Sequence, residues 1–466
     1  MGIPGYIALV REGQFDAALD LIRKDNPFPH SCAYVCEHPC ERQCRRRLVD
    51  DAVNICGLKR YAADHAGNQT PPAPAESTGK RVAIIGGGPS GLTAAYYLRL
   101  MGHDITVFEQ REKLGGMLRY GIPDYRLPPE VLQRDIDYIL ATGMEVKTGV
   151  CVGKDIQLPD LQKEYDALYI AIGAHADKKL GLEGEDSKNV LSAVEFLRSC
   201  GEGNAPDFTG KRIVVIGGGN VSMDATRTAI RLGAESVTCV YRRRVDDMTA
   251  LPEEIEDAMA EGCQILPLQA PARIEANENG EVSALWTRPQ IIGGYGRDGR
   301  PAPRDARQKE FRIPCDYLII AIGQRIESDE FEKGGIGTSR GALKADLSGY
   351  VPGTPNVFAG GDAVTGPATV IRAVAAGKVS AANIDSFLGY AHTIGTAVKI
   401  PPARLSNTPP CGRIQLKSRN ALEARCDFEL ASCGMTEEEA MQEASRCLRC
   451  DHFGYGIFKG GRTTQW

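Results

Sequence analysis

No apolar run in this 466-residue chain approaches the roughly 18 residues that a membrane-spanning helix needs. The opening MGIPGYIALVREGQ also lacks a cationic stretch ahead of its short apolar patch, so no secretory leader and no membrane insertion are expected, and the expected location is cytoplasmic. Positive charge is not in excess. With 55 Lys and Arg against 60 Asp and Glu, the formal charge is -5, which gives no field for nucleic acid or an anionic membrane. Runs such as Arg45 to Arg47 and Arg242 to Arg244 are local exceptions. Length sets a further bound: 466 residues suffice for about three domains.

Cysteine is abundant where a reducing compartment would not build disulfides, and its placement is uneven. Of 15 cysteines, Cys32, Cys36, Cys40, Cys44 and Cys56 lie near the start, and Cys411, Cys426, Cys433, Cys447 and Cys450 near the end. Such crowding suggests metal ligation ahead of disulfides. Cys151, Cys200, Cys239, Cys263 and Cys315 are scattered singly and are expected as small buried hydrophobes. In HSCAYVCEHPCERQC the cysteines recur every fourth residue, but Pro39 turns the chain among them, which suits a wrapped cluster site better than a straight helical stripe. Thiolates are the ligands of iron-sulfur clusters, whereas zinc sites more often show C-x2-C pairs. A [4Fe-4S] cluster is therefore expected, with zinc and unligated thiols as the competing readings.

The chain is organised around residues 81 to 109, RVAIIGGGPSGLTAAYYLRLMGHDITVFE. An apolar strand runs directly into Gly86, Gly88 and Gly91 at G-x-G-x-x-G spacing, and Glu109 closes the next strand. The glycines allow a tight turn, close approach of a pyrophosphate and close helix packing, and the acid is placed for ribose hydroxyls. Pro89, Ser90 and Gln110, with Gly116 and Arg119 of the loop KLGGMLRYGIPDYRLP, complete the expected contacts on this side. Residues 1 to 66 read as a helical, cysteine-bearing domain, and GNQTPPAPAESTG, 67 to 79, as a linker.

A second unit, RIVVIGGGNVSMDATRTAIRLGAESVTCVYRRR, repeats the first from residue 212. Gly217, Gly219, Asn220 and Val221 stand at its turn, but its second strand ends in Tyr241, Arg242 and Arg243 with no acid. An acid there would repel a 2'-phosphate, whereas guanidinium groups can bind one, so NADP(H) is expected over NAD(H). DYLIIAIGQ, with Gly323, echoes the earlier YDALYIAIGA. NVFAGGDAV then places Gly361 and Asp362 ahead of an Ala-rich helix that starts near Thr369 and Val370. Asp362 suits a sugar-alcohol hydroxyl, and the helix start suits negative charge on a reduced isoalloxazine. The expected fold class is α/β, with two Rossmann-like domains arranged as in pyridine-nucleotide disulfide reductases, an N-terminal helical iron-sulfur domain and a cysteine-rich C-terminal tail. Its expected divisions are 1–66, a linker at 67–79, 80–195 and 330–390 for FAD, 196–329 for NADP, and 391–466 for the tail.

With NPFPHSCAYVCEHPCERQC, GGGPSGLTAAYYL, GGMLRYGIPDYRLP, GGGNVSMDATRTA, YRRR and FAGGDA in this order, the chain resembles the small (beta) subunit family of glutamate synthase. That wider family includes the flavin-bearing large subunit of bifurcating ferredoxin-NADP transhydrogenase and the N-terminal half of dihydropyrimidine dehydrogenase. The resemblance implies FAD at the first unit, NADPH at the second, and transfer through a cluster to other redox subunits of a complex. It also implies Cys36, Cys40 and Cys44 as cluster ligands, with Cys32, Cys56 or a non-cysteine group as the fourth. The family's further cysteine motif does not precede MGIPGYIALV, so at most one N-terminal cluster is expected. In the tail, Cys433, Cys447 and Cys450 are the candidates for a second cluster or zinc. The rival reading is a disulfide reductase, which needs a redox cysteine pair beside the flavin, and neither nucleotide unit contains one. No general acid or base is expected, because the cofactors carry the chemistry.

Overall fold

The computed structural model describes residues 2–296, 299–403 and 411–452. The expected α/β architecture is the one observed. Two five-stranded parallel sheets form its centre, and they share one topology. In the first, the order is Val357–Ala359, Ala167–Ile170, Arg81–Ile85, Asp104–Glu109, Glu145–Thr148; in the second it is Val190–Ser192, Tyr317–Ile320, Arg212–Ile216, Ser236–Val240, Gln264–Leu266. Their central strands are continuous apolar runs because helices cover both faces: Val82 to Ile85 and Ile213 to Ile216 are buried throughout. The strand Val190–Ser192 lies ahead of the boundary expected at residue 196, yet it pairs with Tyr317–Ile320 and so belongs to the second sheet. An antiparallel unit of Gln269–Ala276, Val282–Tyr295, Pro301–Asp305 and Phe311–Pro314 precedes the last strand of that sheet.

The N-terminal helices Ile3–Arg11, Phe15–Arg23 and Ile55–His65 pack their apolar faces into a core of Tyr6, Leu9, Leu19, Ile22, Leu58 and Tyr61. The tail enters this same core. Met435, Ala440 and Ala444, the last two on the helix Glu437–Ser445, join Leu58 and Tyr61 in that core, so the segment expected as a C-terminal tail packs into the N-terminal helical domain. Thr436 and Glu439 form a capping box that starts this tail helix. Fully buried Glu443 ties it down by accepting from the backbone N–H groups of Asn54 at 2.7 Å and Ile414 at 2.6 Å.

The segment 67–79 is fastened at both ends and is no loose tether. Gly67 donates to Asp16, Gln69 bonds the Asp16 carbonyl and Arg23, and Ala75 and Thr78 donate to the carbonyls of Leu100 and Gly102. The helical domain also docks directly on the first sheet's layer. Phe28 and Cys32 lie in the core built by the strand Arg81–Ile85 and the helix Pro89–Leu100. Asp135, wholly buried, accepts from the backbone and hydroxyl of Ser31, at 2.7 and 2.8 Å, and from His30.

Removing this carboxylate leaves several buried donors unsatisfied. Asp135→Ala is expected to cost about 3 kcal/mol, the range for breaking a buried polar network. Proteolysis within residues 24–70 should quicken while the nucleotide domains resist. Unchanged denaturation and unchanged cleavage would show that the docking rests on apolar contacts alone.

Candidate active site

The cavity between the two sheets, of about 490 Å³, is the meeting place of the glycine turns. It is lined by Gly86, Gly88, Pro89, Ser90, Glu109, Gln110 and Gly116 from the first unit, by Asn220 and Val221 from the second, and by Asp362, Thr369 and Val370 from the last. Local chain geometry explains the glycines. Gly86 has φ +110°, and a Cβ on it would collide with the Ala171 carbonyl; a Cβ on Gly91 would collide with the Gly86 carbonyl. The second unit repeats the constraint, since a Cβ on Gly217 would strike the Ala321 carbonyl and the Ser222 hydroxyl. Gly219 caps the helix Asn220–Arg231, as Gly88 caps Pro89–Leu100 and Thr369 caps Val370–Phe387. Three helix N-termini therefore face the site, each with unpaired N–H groups that favour phosphate or anionic ring atoms.

Glu109 is nearly buried. Its carboxylate accepts from the N–H groups of Gly87 at 2.8 Å and Arg111 at 2.9 Å. Burial outweighs those bonds and leaves it raised above the ordinary carboxylate range. Burial likewise pushes Asp362 up to about 6, against a bond from the Ala368 backbone. Both acids sit where ligand hydroxyls would replace lost water. Gly361 (φ +66°) lies against Ser90 and turns the chain into Asp362, while Gly323 stands just before Gln324 in the lining.

Eight expected cofactor contacts, Gly91, Arg119, Gly217, Gly219, Arg242, Arg243, Gly323 and Gly361, are not among the residues that line this cavity. Arg119 lines an adjoining pocket that shares Gln110, Arg111, Leu118 and Ile122 with this cavity, its guanidinium held by the Leu114 carbonyl at 2.7 Å and Gln133 at 2.6 Å. The arginine pair divides: Arg242 is exposed at the end of Ser236–Val240, but Arg243 is buried and donates to the Pro301 carbonyl at 2.8 Å. Alternation along an extended strand end sends neighbours to opposite sides. Arg244 pairs with Asp247.

Other lining residues are not among the contacts expected from sequence. His175 sits there, held neutral by burial and by Arg111 and Arg198 down to about 4. Arg126 and Asp224 clamp the units together at 2.7 and 2.9 Å. Cys151 also lines the cavity, a correction to its expected place as a buried hydrophobe. No second cysteine joins it in the lining, so the dithiol of a disulfide reductase is missing from the described residues there.

The cysteines of the helical domain gather around one buried ammonium. Charge on Cys56, Cys36, Cys32 and Cys40 overcomes the burial penalty at Lys59 and holds it above its ordinary range. The Cys56 thiol donates to the Ala33 carbonyl at 3.4 Å, and Cys56 and then Lys59, against burial, hold Cys36 below the usual thiol range. A buried cation ringed by thiols fits an anionic thiolate-bound cluster, whose charge it would offset. Lys59 is influenced by Cys56, Cys36, Cys32 and Cys40, and Cys40, Cys44 and Cys447 all pack against the apolar core of the helical domain. Cys433 is exposed, its N–H on the Lys417 carbonyl. Val35 and Glu37, the neighbours of Cys36, line the nucleotide cavity itself, and Asn220 bonds Glu37.

Comparison with known proteins agrees with these parts. Residues 80–377 match the model of the pyridine nucleotide-disulphide oxidoreductase family, and residues 1–70 match dihydropyrimidine dehydrogenase domain II, 4Fe-4S cluster. The chain is 36% identical to the NADPH-Fe(3+) oxidoreductase subunit beta of Geobacter sulfurreducens over 96% of its length and 73% of that protein's. It is 36% identical to the NADP(+)-dependent formate dehydrogenase subunit beta of Moorella thermoacetica, covering 99% and 70%. With the glutamate synthase [NADPH] small chain of Escherichia coli it shares 34% identity, covering 83% and 86%. Among solved structures, Mycobacterium tuberculosis FprA in complex with NADPH superposes with a TM-score of 0.58 at 20% identity, covering 67% of this chain and 85% of that one, a likeness of fold. Among the described residues no helix is long and apolar enough to cross a membrane. The chain therefore belongs to the pyridine nucleotide-disulphide oxidoreductase family, as a nicotinamide-nucleotide-dependent flavin oxidoreductase subunit of the glutamate synthase small-chain type that carries a 4Fe-4S domain.

Proposed function

We propose that this subunit exchanges hydride with NADP(H) at a bound FAD and moves single electrons between that site and partner redox subunits through a [4Fe-4S] cluster in the N-terminal domain. The observation that carries this reading is the position of Cys36: its two chain neighbours, Val35 and Glu37, form part of the wall of the cavity that the nucleotide turns also line. A flavin held there supplies the conversion between two-electron exchange with a nicotinamide and one-electron exchange with a cluster.

The chain's own residues bind and orient. Glu109 takes ribose hydroxyls, the N–H groups at Pro89–Leu100 take pyrophosphate, and Asp362 takes the sugar-alcohol chain. The N-terminus of Val370–Phe387 places positive potential where the ring gains negative charge. Asn220 and Val221 bring the second nucleotide to the opposite side, and Arg242 receives its 2'-phosphate. Neutral His175 can accept or donate a hydrogen bond without adding charge to the cavity. Cys32, Cys36, Cys40 and Cys56 are the cluster's ligands in this reading, which makes Cys56 the fourth and releases Cys44. The relatives' printed names make them subunits or chains of larger assemblies, which supports partner subunits as the other terminus of transfer. The many free thiols favour a reducing compartment, the cytoplasm.

Two measurements check this. Arg242→Ala should weaken NADPH by about 2 kcal/mol, one charge-assisted hydrogen bond, and leave NADH unchanged; Arg243→Ala should affect both nucleotides alike. Equal loss in Arg242→Ala would remove the case for NADP. Cys36→Ser should leave bleaching of the flavin by NADPH nearly intact, while reduction of a protein acceptor too large to enter the cavity falls to background. If that transfer survives, electrons leave by another route.

A further inference from the structure

Away from the nucleotide cavity and the cysteine domain, three metal-binding side chains converge where the chain leaves the first nucleotide unit. His103 stands in the turn that opens the strand Asp104–Glu109, and Asp385 near the end of the helix Val370–Phe387. His392 begins the segment that runs on to the helical domain: Ile394 still packs on the core of the first unit, and Val398 on the helical one. One ligand atom of each of the three lies within 4.8 Å of the other two. His103 Nε2 is 2.9 Å and His392 Nδ1 2.7 Å from the same oxygen, Asp385 Oδ1. None of the three lines the nucleotide cavity.

The groups behind these atoms hold them in place. Asp385 Oδ2 accepts from the His392 backbone N–H at 2.8 Å, which leaves Oδ1 to face both rings. The far nitrogen of His103, Nδ1, lies 2.8 Å from the Thr78 hydroxyl. That hydroxyl accepts from the Lys80 N–H at 3.2 Å and donates to the Gly102 carbonyl at 3.3 Å, so it takes the proton of Nδ1 as well. A neutral imidazole has one proton, so His103 Nε2 turns a lone pair toward the carboxylate, and two lone-pair atoms 2.9 Å apart call for a cation between them. A polar partner on the far ring nitrogen is also how metal-bound histidines are held. Charge points the same way. The side chains of His103 and Asp385 are 0% and 2% exposed, and among the described residues the ion-pair partners of Asp385 are these two imidazoles, with no lysine or arginine. A carboxylate so deeply buried needs compensating charge. His392, 28% exposed, gives a way in from solvent. Tyr390 covers the rest, stacking on His392 at 5.4 Å, meeting His103 edge-on at 5.6 Å and donating to the Thr78 carbonyl at 3.1 Å.

We propose that His103, Asp385 and His392 bind one zinc ion, with water as the fourth ligand, and that this ion staples the segment after the helix Val370–Phe387 to the first nucleotide unit. Two imidazoles and one carboxylate oxygen, with no thiolate, are a donor set that suits zinc. Ligands about 2.0–2.2 Å from a tetrahedral ion stand roughly 3.3–3.5 Å apart. Each ring nitrogen therefore has to draw back from Asp385 Oδ1 by about half an ångström, a shift that a small turn of each side chain supplies. The ion would tie together residues 78, 103, 385 and 392, which the chain brings from two strand connections and one helix end. It would fix the point from which the chain departs for the helical domain.

The site shares no residue with the electron route proposed above, so its test stands apart from that reading. The full chain, loaded with FAD, iron and sulfide so that the cluster thiols are engaged, is dialysed against micromolar zinc, with retained flavin as the check on folding. Bound zinc is counted by elemental analysis, and its ligand shell is read by X-ray absorption at the zinc edge. Wild type should hold one zinc per chain in a shell of nitrogen and oxygen at about 2.0–2.2 Å, against about 2.3 Å for sulfur. His392→Ala should lose that zinc and keep its flavin, while His452→Ala, at an exposed histidine, should keep both. Thr78→Val, which removes the partner of His103 Nδ1, should weaken zinc by roughly ten- to a hundredfold without changing the shell. Zinc should also slow proteolysis within residues 388–398 in wild type and not in His392→Ala. The proposal is overturned if wild type takes up no zinc, if its zinc sits on sulfur alone, or if His392→Ala retains the same zinc in the same shell.

Discussion

The clamp of Arg126 on the second nucleotide unit is the constraint on which the site depends. Arg126 comes from the loop GIPDYRLP of the first unit and pairs with Asp224 and Glu254 of the second, at 2.7 and 2.8 Å. Its neighbour Tyr125 is fully buried, with the guanidinium of Arg231 3.9 Å from its ring centroid and that of Arg227 4.9 Å away. Those two arginines share Glu261, itself 1% exposed, and Arg227 also pairs with Glu254 and Asp257. Charges this deep are tolerated because each has a partner, and removing one partner would cost about 3–5 kcal/mol. The clamp ties the unit that carries Gly88, at the start of Pro89–Leu100, to the unit that carries Asn220, at the start of Asn220–Arg231, and so holds the two walls of the cavity together. The Tyr125 carbonyl also accepts from Ala431 of the tail, which carries the C-terminal segment into the same lock.

What the sequence made legible is what local backbone geometry writes into it. A turn that forbids a Cβ must be glycine, so Gly86, Gly91 and Gly217 announced both nucleotide units, and a buried strand must be apolar, so both sheets were plain. Glu109 and Asp362 followed because each stands at a fixed offset from such a strand. Side-chain direction is written less clearly. Arg119 and Arg243 lie next to the expected places but face the Leu114 and Pro301 carbonyls, which no local pattern encodes. His175, Val35 and Glu37 enter the lining through the packing of distant segments, which the motif around Cys36 does not itself encode.

The cysteines show the same division more sharply. Four thiols at a regular spacing of four suggested one set, with Cys44 inside it and Cys56 as one option among three for the remaining place. The loop after Cys44 is tied to the tail, where Arg46 meets the Arg446 carbonyl across 400 residues of sequence. Cys433, nearer in sequence to Cys447 than Cys411 is, remains exposed. Proximity along the chain is a poor guide once a domain is assembled from both termini.

That assembly gives a physical reason for the tail's position. A helical domain of some seventy residues has too small a core to bury much surface, and metal or added chain commonly makes up the deficit. Here the helix Glu437–Ser445 supplies the missing apolar wall against Leu58 and Tyr61, while Glu443 and Arg446 satisfy backbone groups that the loop 50–54 would otherwise leave bare. The same docking brings Cys447 against the core on which Cys44 also packs. Stability of the N-terminal domain and placement of its outermost thiols are consequences of one contact, so a change that loosens the tail helix disturbs both together, whereas a change at Lys59 acts on the inner thiols alone.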